Sequence, residues 1–229
     1  MSRKLINYAV LAIIVALALP LQSAYAECDD KRSPGMDWSG CKKTNKMLDE
    51  SDFSGSRFDD ANLSQSLLDK SNFTNASLVK ADLTRASATR SRFVNADLTK
   101  ALGYRATFDG AKLLNSNLTK SEFSRASFRN AEIVDTDWSK SELGRVDFSD
   151  ASLRDVNFYH SNLSRASFID ARLDGVDFKG AYTYLTHFEG VDLSKTTNLS
   201  QYQINISCGD LNTRLPQGRW VPDKWPCEE

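Results

Sequence analysis

The chain has 229 residues, with 29 basic against 30 acidic side chains, so its formal net charge is only −1. That balance excludes a global field of the kind that draws a protein to nucleic acid or to acidic substrates. Polar residues dominate, but the apolar ones recur on a strict period, which excludes intrinsic disorder.

At the N-terminus, Arg3 and Lys4 precede an apolar run from Leu5 to Leu21, followed by Ala24-Tyr25-Ala26. A basic, then apolar, then small-x-small order is that of a cleavable signal peptide over residues 1–26, with the cut after Ala26. The apolar core is at the short limit for a membrane span, and no span is expected once it is removed. Glu27 in front of Cys28 stands where lipid attachment would need a small residue, and cleavage takes the net charge to about −3.

From Met36 to Lys195 a large apolar residue returns every fifth position, as in Trp38, Leu48, Phe53, Phe58, Leu63 and Leu68. Of 32 such centres, 28 are Leu, Phe, Ile or Trp, the exceptions being Lys43, Ala88, Gly103 and Thr183, so both the pattern and its breaks need a structural reason. The residue two places earlier is almost always small, as in Ser51, Ala61, Ala76 and Val176. A helix repeats at 3.6 and a half-buried strand at 2, so a period of five points to a repeat architecture with both positions inside.

Segments such as Ala61-Asn62-Leu63-Ser64-Gln65, Ala81-Asp82-Leu83-Thr84-Arg85 and Ala96-Asp97-Leu98-Thr99-Lys100 resemble the A(D/N)LXX unit of pentapeptide repeat proteins. The resemblance covers about 160 residues and implies an all-β fold, a right-handed quadrilateral parallel β-helix with four pentapeptides per coil. Positions 20 apart then stack, and about eight coils make a rod on the order of 38 Å long at about 4.8 Å per coil. The columns sort by residue type: Phe108, Phe128, Phe148, Phe168 and Phe188 fall in one, Phe53, Phe73 and Phe93 in another, and Trp138, Phe158 and Phe178 in a third.

Both ends of such a rod need caps. Four cysteines, Cys28, Cys41, Cys208 and Cys227, remain after signal cleavage and read as two disulfides. A bridge needs Cα atoms within roughly 7 Å, so the rod length selects Cys28 with Cys41 and Cys208 with Cys227. Residues 27–35 form the N-terminal cap, and residues 196–229 the C-terminal cap, with a short helix near Asn198–Ile204 and a tail rich in Pro and Trp. The lack of a CxxC or a neighbouring histidine argues against a metal site.

Function must come from what the columns expose. Arg85, Arg105, Arg125, Arg145 and Arg165 stack at one corner, and Lys80, Lys100, Lys120 and Lys140 at the adjacent one. The face between them carries Asp82, Leu102, Glu122, Glu142 and Tyr182 in one column and Tyr104 and Tyr184 in another, so the basic ladders are either paired with these carboxylates or free for an anionic partner. Two faces away, Val94, Leu114 and Val134 stack as outward neighbours, a small patch that is either a partner or dimer contact or an ordinary scatter of surface hydrophobes. Gly103 and Ala88 imply a local narrowing or a small cavity.

His160 and His187 lack an accompanying nucleophile, and Asp135 and Asp155 share a corner with Asn75, Asn95 and Asn115, which argues for turn geometry rather than for catalysis or calcium. No cofactor is expected. The expected function is a non-catalytic scaffold or binding protein, periplasmic or secreted in a bacterium, whose partner is a protein, a glycan or an anionic polymer. The alternative implied by the resemblance is a DNA mimic that binds a type II topoisomerase, from which the signal peptide and the basic corners depart. A carbohydrate-active enzyme would need paired carboxylates about a groove.

Overall fold

The computed structural model of the chain describes residues 28, 29 and 31–227, and the expected signal peptide lies outside them. The chain winds as a parallel β-helix in which each coil pairs with the next at an interval of 20 residues. One ladder runs Asp37, Arg57, Ser77, Asp97, Asn117, Asp137, Asn157, Asp177 and Thr197, each bridged in parallel to the next. Three further ladders mark the other faces. On one of them the bridges lengthen into three-residue strands β1 (Arg92–Val94), β2 (Lys112–Leu114), β3 (Glu132–Val134), β4 (Ser152–Arg154) and β5 (Arg172–Asp174), forming one parallel sheet in chain order. Strand pairing of this kind runs through four coil-to-coil steps, fewer than the eight coils expected from the repeat count, while isolated bridges alone carry the 20-residue register through all the steps from Asp37 to Thr197. On the other three faces a turn follows each bridge at once, so no strand develops there.

The five-residue period has a simple cause. In each unit the small residue and the centre point inward, and the residues between and after them point out. Ala61, Leu63, Ala81 and Leu83 are buried, whereas Gln65 and Arg85 are exposed. The fifth residue turns the corner with positive φ, from 50° at Asp135 to 62° at Arg125 among the non-glycine residues and up to 74° at Gly190. Where a unit carries Asp or Asn between the small residue and the centre, that side chain fixes the start of the turn by accepting the backbone N–H two residues on, as Asn62 does from Ser64 at 3.0 Å and Asp82 from Thr84 at 2.9 Å.

Serine at the small position also ties coils together. Ser71 Oγ donates to the Leu48 carbonyl at 2.9 Å, Ser91 Oγ to that of Leu68 at 2.7 Å and Ser141 Oγ to that of Leu118 at 2.7 Å. These hydroxyls are buried, and each is satisfied by backbone that the ladder leaves available.

Aromatic columns fill the bore. Phe108, Phe128, Phe148, Phe168 and Phe188 stack with centroids 4.9 to 5.4 Å apart and planes 13° to 24° from parallel. Phe73 and Phe93 lie 4.8 Å apart at 2°. Trp138 instead meets Phe123, Phe128 and Phe148 edge-on, at 77° to 89°, so neighbouring columns interlock as well as stack.

Three of the four exceptions to the centre pattern have structural reasons. Lys43 sits at the open first coil, where its Nζ donates to the Cys28 carbonyl and lies 3.7 Å from the centroid of Trp38, covering the end of the core. Thr183, at the other end, donates to the Gln203 carbonyl at 2.9 Å. Gly103 leaves neither a narrowing nor a void. A Cβ there would lie 2.1 Å from two ring atoms of Phe123, so the aromatic ring of the next coil already occupies the volume.

The caps follow from the same need to cover exposed backbone. Cys28 is bridged to Cys41 and Cys208 to Cys227, with Cα separations of 5.5 and 5.4 Å. Helix α1 (Gln201–Asn205) is capped by Ser200, and its buried Gln203 donates through Nε2 to the carbonyls of Phe178 and Ala181 at 2.7 and 2.8 Å. Trp225 folds back over Gly209, its Nε1 donating to the Ser207 carbonyl at 2.8 Å.

The position of the Phe123 ring makes the repeat pattern a poor guide at one site. Replacing Gly103 with Leu, the residue the pattern favours, is expected to destabilise the protein by about 1–3 kcal/mol through overpacking. Denaturant unfolding measures it, and a stabilised Gly103→Leu variant would mean that the Phe123 ring does not hold that space.

Candidate functional site

The face between the two basic corners is built from the ladder Asp82, Leu102, Glu122, Glu142, Asn162 and Tyr182, whose members are bridged in turn. Beside it runs a second outward column, Tyr104, Ser124, Gly144, Ser164 and Tyr184. Its register is set by backbone bonds from the arginine corner: Arg105 N–H donates to the Ser124 carbonyl at 3.2 Å, Arg125 to Gly144 at 2.9 Å, Arg145 to Ser164 and Arg165 to Tyr184 at 2.8 Å each. The structure therefore brings together all nine ladder cations with Tyr104, Tyr182 and Tyr184 on one side of the rod.

Charge compensation on this face is sparse. Among the described residues the only ladder cation in an ion pair is Lys80, whose Nζ lies 3.6 Å from Asp60 in the preceding coil of its own column. Glu122 and Glu142 pair with neither ladder; Glu142 accepts instead from Asn162 Nδ2 at 2.8 Å. Asp82 is engaged by the Thr84 backbone. Another corner shows the contrast. There Lys70 donates to Glu50 at 2.7 Å, which holds the carboxyl below and the ammonium above their usual values.

Nor does the backbone call for cations at these corners. All nine ladder residues have φ between 57° and 62°, the left-handed region in which Gly, Asn and Asp fit best. The corner holding Gly55, Asn75, Asn95, Asn115, Asp135, Asp155 and Gly175 follows that preference, and Asn95 there donates to Asn75 at 3.0 Å. Turn geometry thus explains that corner and leaves the lysines and arginines unexplained.

The tyrosines are the exposed aromatic part of the face. Tyr104 is 39% exposed, with the Arg105 guanidinium 5.3 Å from its ring centroid. Tyr182 and Tyr184 are 49% and 44% exposed and stack on each other at 6.2 Å and 13°.

On the opposite side, Val94 pairs with Leu114 and Leu114 with Val134 in β1 to β3, and all three are half-buried rather than fully outward. His160 is at the end of the lysine column, its ring 4.2 Å from that of Tyr159, and His187 is on a different face with Nδ1 3.0 Å from Glu189 Oε1. Among the described residues no group of three His, Cys, Asp or Glu side chains is arranged to hold a metal ion. No described helix is long and apolar enough to cross a membrane.

The repeat itself is matched by two family profiles. "Pentapeptide repeats (8 copies)" matches residues 47–75 and 66–102, and "Pentapeptide repeat region" matches residues 104–178, together more than half of the chain. The chain belongs to the pentapeptide repeat family. No curated protein matches it by sequence. Among solved structures, a trypsin-treated form of QnrB1, a plasmid-mediated fluoroquinolone resistance protein, is similar with TM-score 0.71 and 18% identity over 82% of this chain and 93% of that one. HetL, a pentapeptide repeat protein involved in heterocyst differentiation regulation in the cyanobacterium Nostoc, is 24% identical over 84% of this chain and 92% of its own, with TM-score 0.34. At these identities the likeness to QnrB1 establishes the fold of this pentapeptide repeat scaffold and nothing about its partner.

The strained corners give a direct test of what holds the cations in place. Arg125→Asn is expected to stabilise the protein by a few tenths to about 1 kcal/mol, and Arg125→Val to destabilise it by about 1 kcal/mol, because a β-branched residue tolerates positive φ worst. Equal unfolding midpoints for the two variants would show that the corner backbone imposes no preference.

Proposed function

We propose that this pentapeptide repeat protein is a non-catalytic, exported scaffold whose basic face binds an anionic polymer. The observation that carries the reading is the set of nine stacked cations, of which only Lys80 is in an ion pair among the described residues, held at corners whose geometry favours other residues. Like charges stacked at coil spacing repel one another, and an extended anion running along the rod relieves that repulsion at every step. The tyrosines add flat, half-exposed surface beside the charges.

Export is supported by the order of basic, apolar and small residues in 1–26 and by two disulfides at the ends of the rod, which persist in oxidising compartments such as the periplasm. Binding to a type II topoisomerase by mimicry of DNA is less well supported, because a mimic needs negative charge along its surface where this chain presents arginine and lysine.

Binding driven by uncompensated surface charge weakens steeply with salt. Replacing Arg105, Arg125 and Arg145 together with Gln is expected to abolish binding of anionic polymers at low salt and to leave the thermal midpoint nearly unchanged, since exposed charges contribute little stability. Val94→Ser with Leu114→Ser is the matched control on the opposite side. A triple variant that still bound normally would end the reading and shift attention to the Val94, Leu114 and Val134 patch.

A further inference from the structure

The basic face is not uniformly basic, and its departures carry chemical information. Glu122 and Glu142 stand in the middle of it on successive coils, paired with none of the surrounding cations. Glu142 is oriented by Asn162 at 2.8 Å and retains acceptor capacity on its second oxygen. Repulsion from two central carboxylates disfavours a ligand that is anionic at every position, such as a nucleic acid strand or a polyacidic peptide. They suit a ligand that alternates negative groups with neutral hydrogen-bond donors.

The aromatic residues limit the ligand further. Tyr104 stands at one end of the outward column and Tyr184, stacked on Tyr182, at the other, four coils away, which is about 19 Å at strand spacing. Between them Ser124, Gly144 and Ser164 keep the column low, and a Cβ at Gly144 would approach the two serine hydroxyls at 3.8 and 3.5 Å. The arginine corner borders this column through its whole length.

We infer that the ligand is a linear acidic polysaccharide lying along this column, a conclusion that rests on the anionic-polymer reading above. Its carboxylate or sulfate groups face the arginines of the corner, where planar guanidinium groups suit such oxyanions. Its hydroxyls donate to Glu122 and Glu142. Sugar rings pack on Tyr104 at one end and on Tyr184 at the other, where an aromatic face offers apolar contact with a polar edge.

The test uses the full chain in low salt, with polygalacturonate and heparin as acidic polysaccharides and polyglutamate and single-stranded polydeoxythymidine as the competing classes, followed by titration calorimetry. At least one polysaccharide is expected to bind more tightly than either competitor. Glu122→Ala with Glu142→Ala should weaken that binding several-fold, whereas charge alone requires it to strengthen, and Tyr104→Ala with Tyr184→Ala should weaken it at least tenfold. Unchanged thermal midpoints verify that these surface variants are folded. Preference for polyglutamate or polydeoxythymidine, tighter binding by the glutamate variant, or indifference to the tyrosine variant overturns the polysaccharide assignment and leaves the basic-face reading standing. Failure to bind any of the four polymers overturns both.

Discussion

Everything in this molecule depends on the backbone register between coils, in which one turn of the chain meets the next after 20 residues. Each coil donates to and accepts from its neighbours, as when Leu63 N–H donates to the Asp82 carbonyl at 2.8 Å and Asp82 N–H to the Ala61 carbonyl at 2.9 Å. Because the interval is constant, like residues fall above like, and the bore is filled by columns rather than by a mixed core. A single coil closes nothing by itself. Its inward side chains become buried only when another coil lies on each side, so stability is a property of neighbours, and the two terminal coils need the disulfide-tied caps.

The sequence makes much of this legible, for a physical reason. A period of five with two inward positions leaves a trace in every unit, so burial at Leu63, Phe108 or Ala126 can be read from spacing alone. Stacking at 20 follows once four units are taken per coil, and the ladders of Arg85 to Arg165 and Lys80 to Lys140 follow with it. Less legible was what lies between units. Spacing cannot say that bridges lengthen into strands on one face only, since that depends on how the turn after each centre is made. Gly103 read as missing volume because spacing gives the size of a side chain and not the direction in which a ring leans, whereas Phe123, the next member of the same column, leans into that space.

The exposed face was only partly readable. The identities of the cations and tyrosines were plain, but whether Asp82, Glu122 and Glu142 neutralise the ladders depends on side-chain reach, which a column diagram does not contain. The structure turns Glu142 toward Asn162 and ties Asp82 to its own turn, and among the described residues this leaves every ladder cation except Lys80 without an ion pair. Ser124, Gly144 and Ser164 gave no signal in the sequence, because small polar residues are ordinary at outward positions. Their arrangement becomes informative only between Tyr104 and Tyr184, five positions of one column spread over 81 residues of chain.

The corner residues have a consequence for how such a chain can change. A corner side chain touches no part of the bore, so its identity can be altered freely as far as the core is concerned, but its place on the surface is a matter of phase. Inserting or deleting 20 residues lengthens or shortens every column by one rung and keeps each on its face. Inserting five keeps the inward pattern intact and rotates all that follows by a quarter turn, carrying the later arginines onto the next corner and cutting the column between Tyr104 and Tyr184 in two. The two kinds of change are equally easy for the core to accept and opposite in what they do to the surface, so the length of the rod and the continuity of its faces vary under separate constraints.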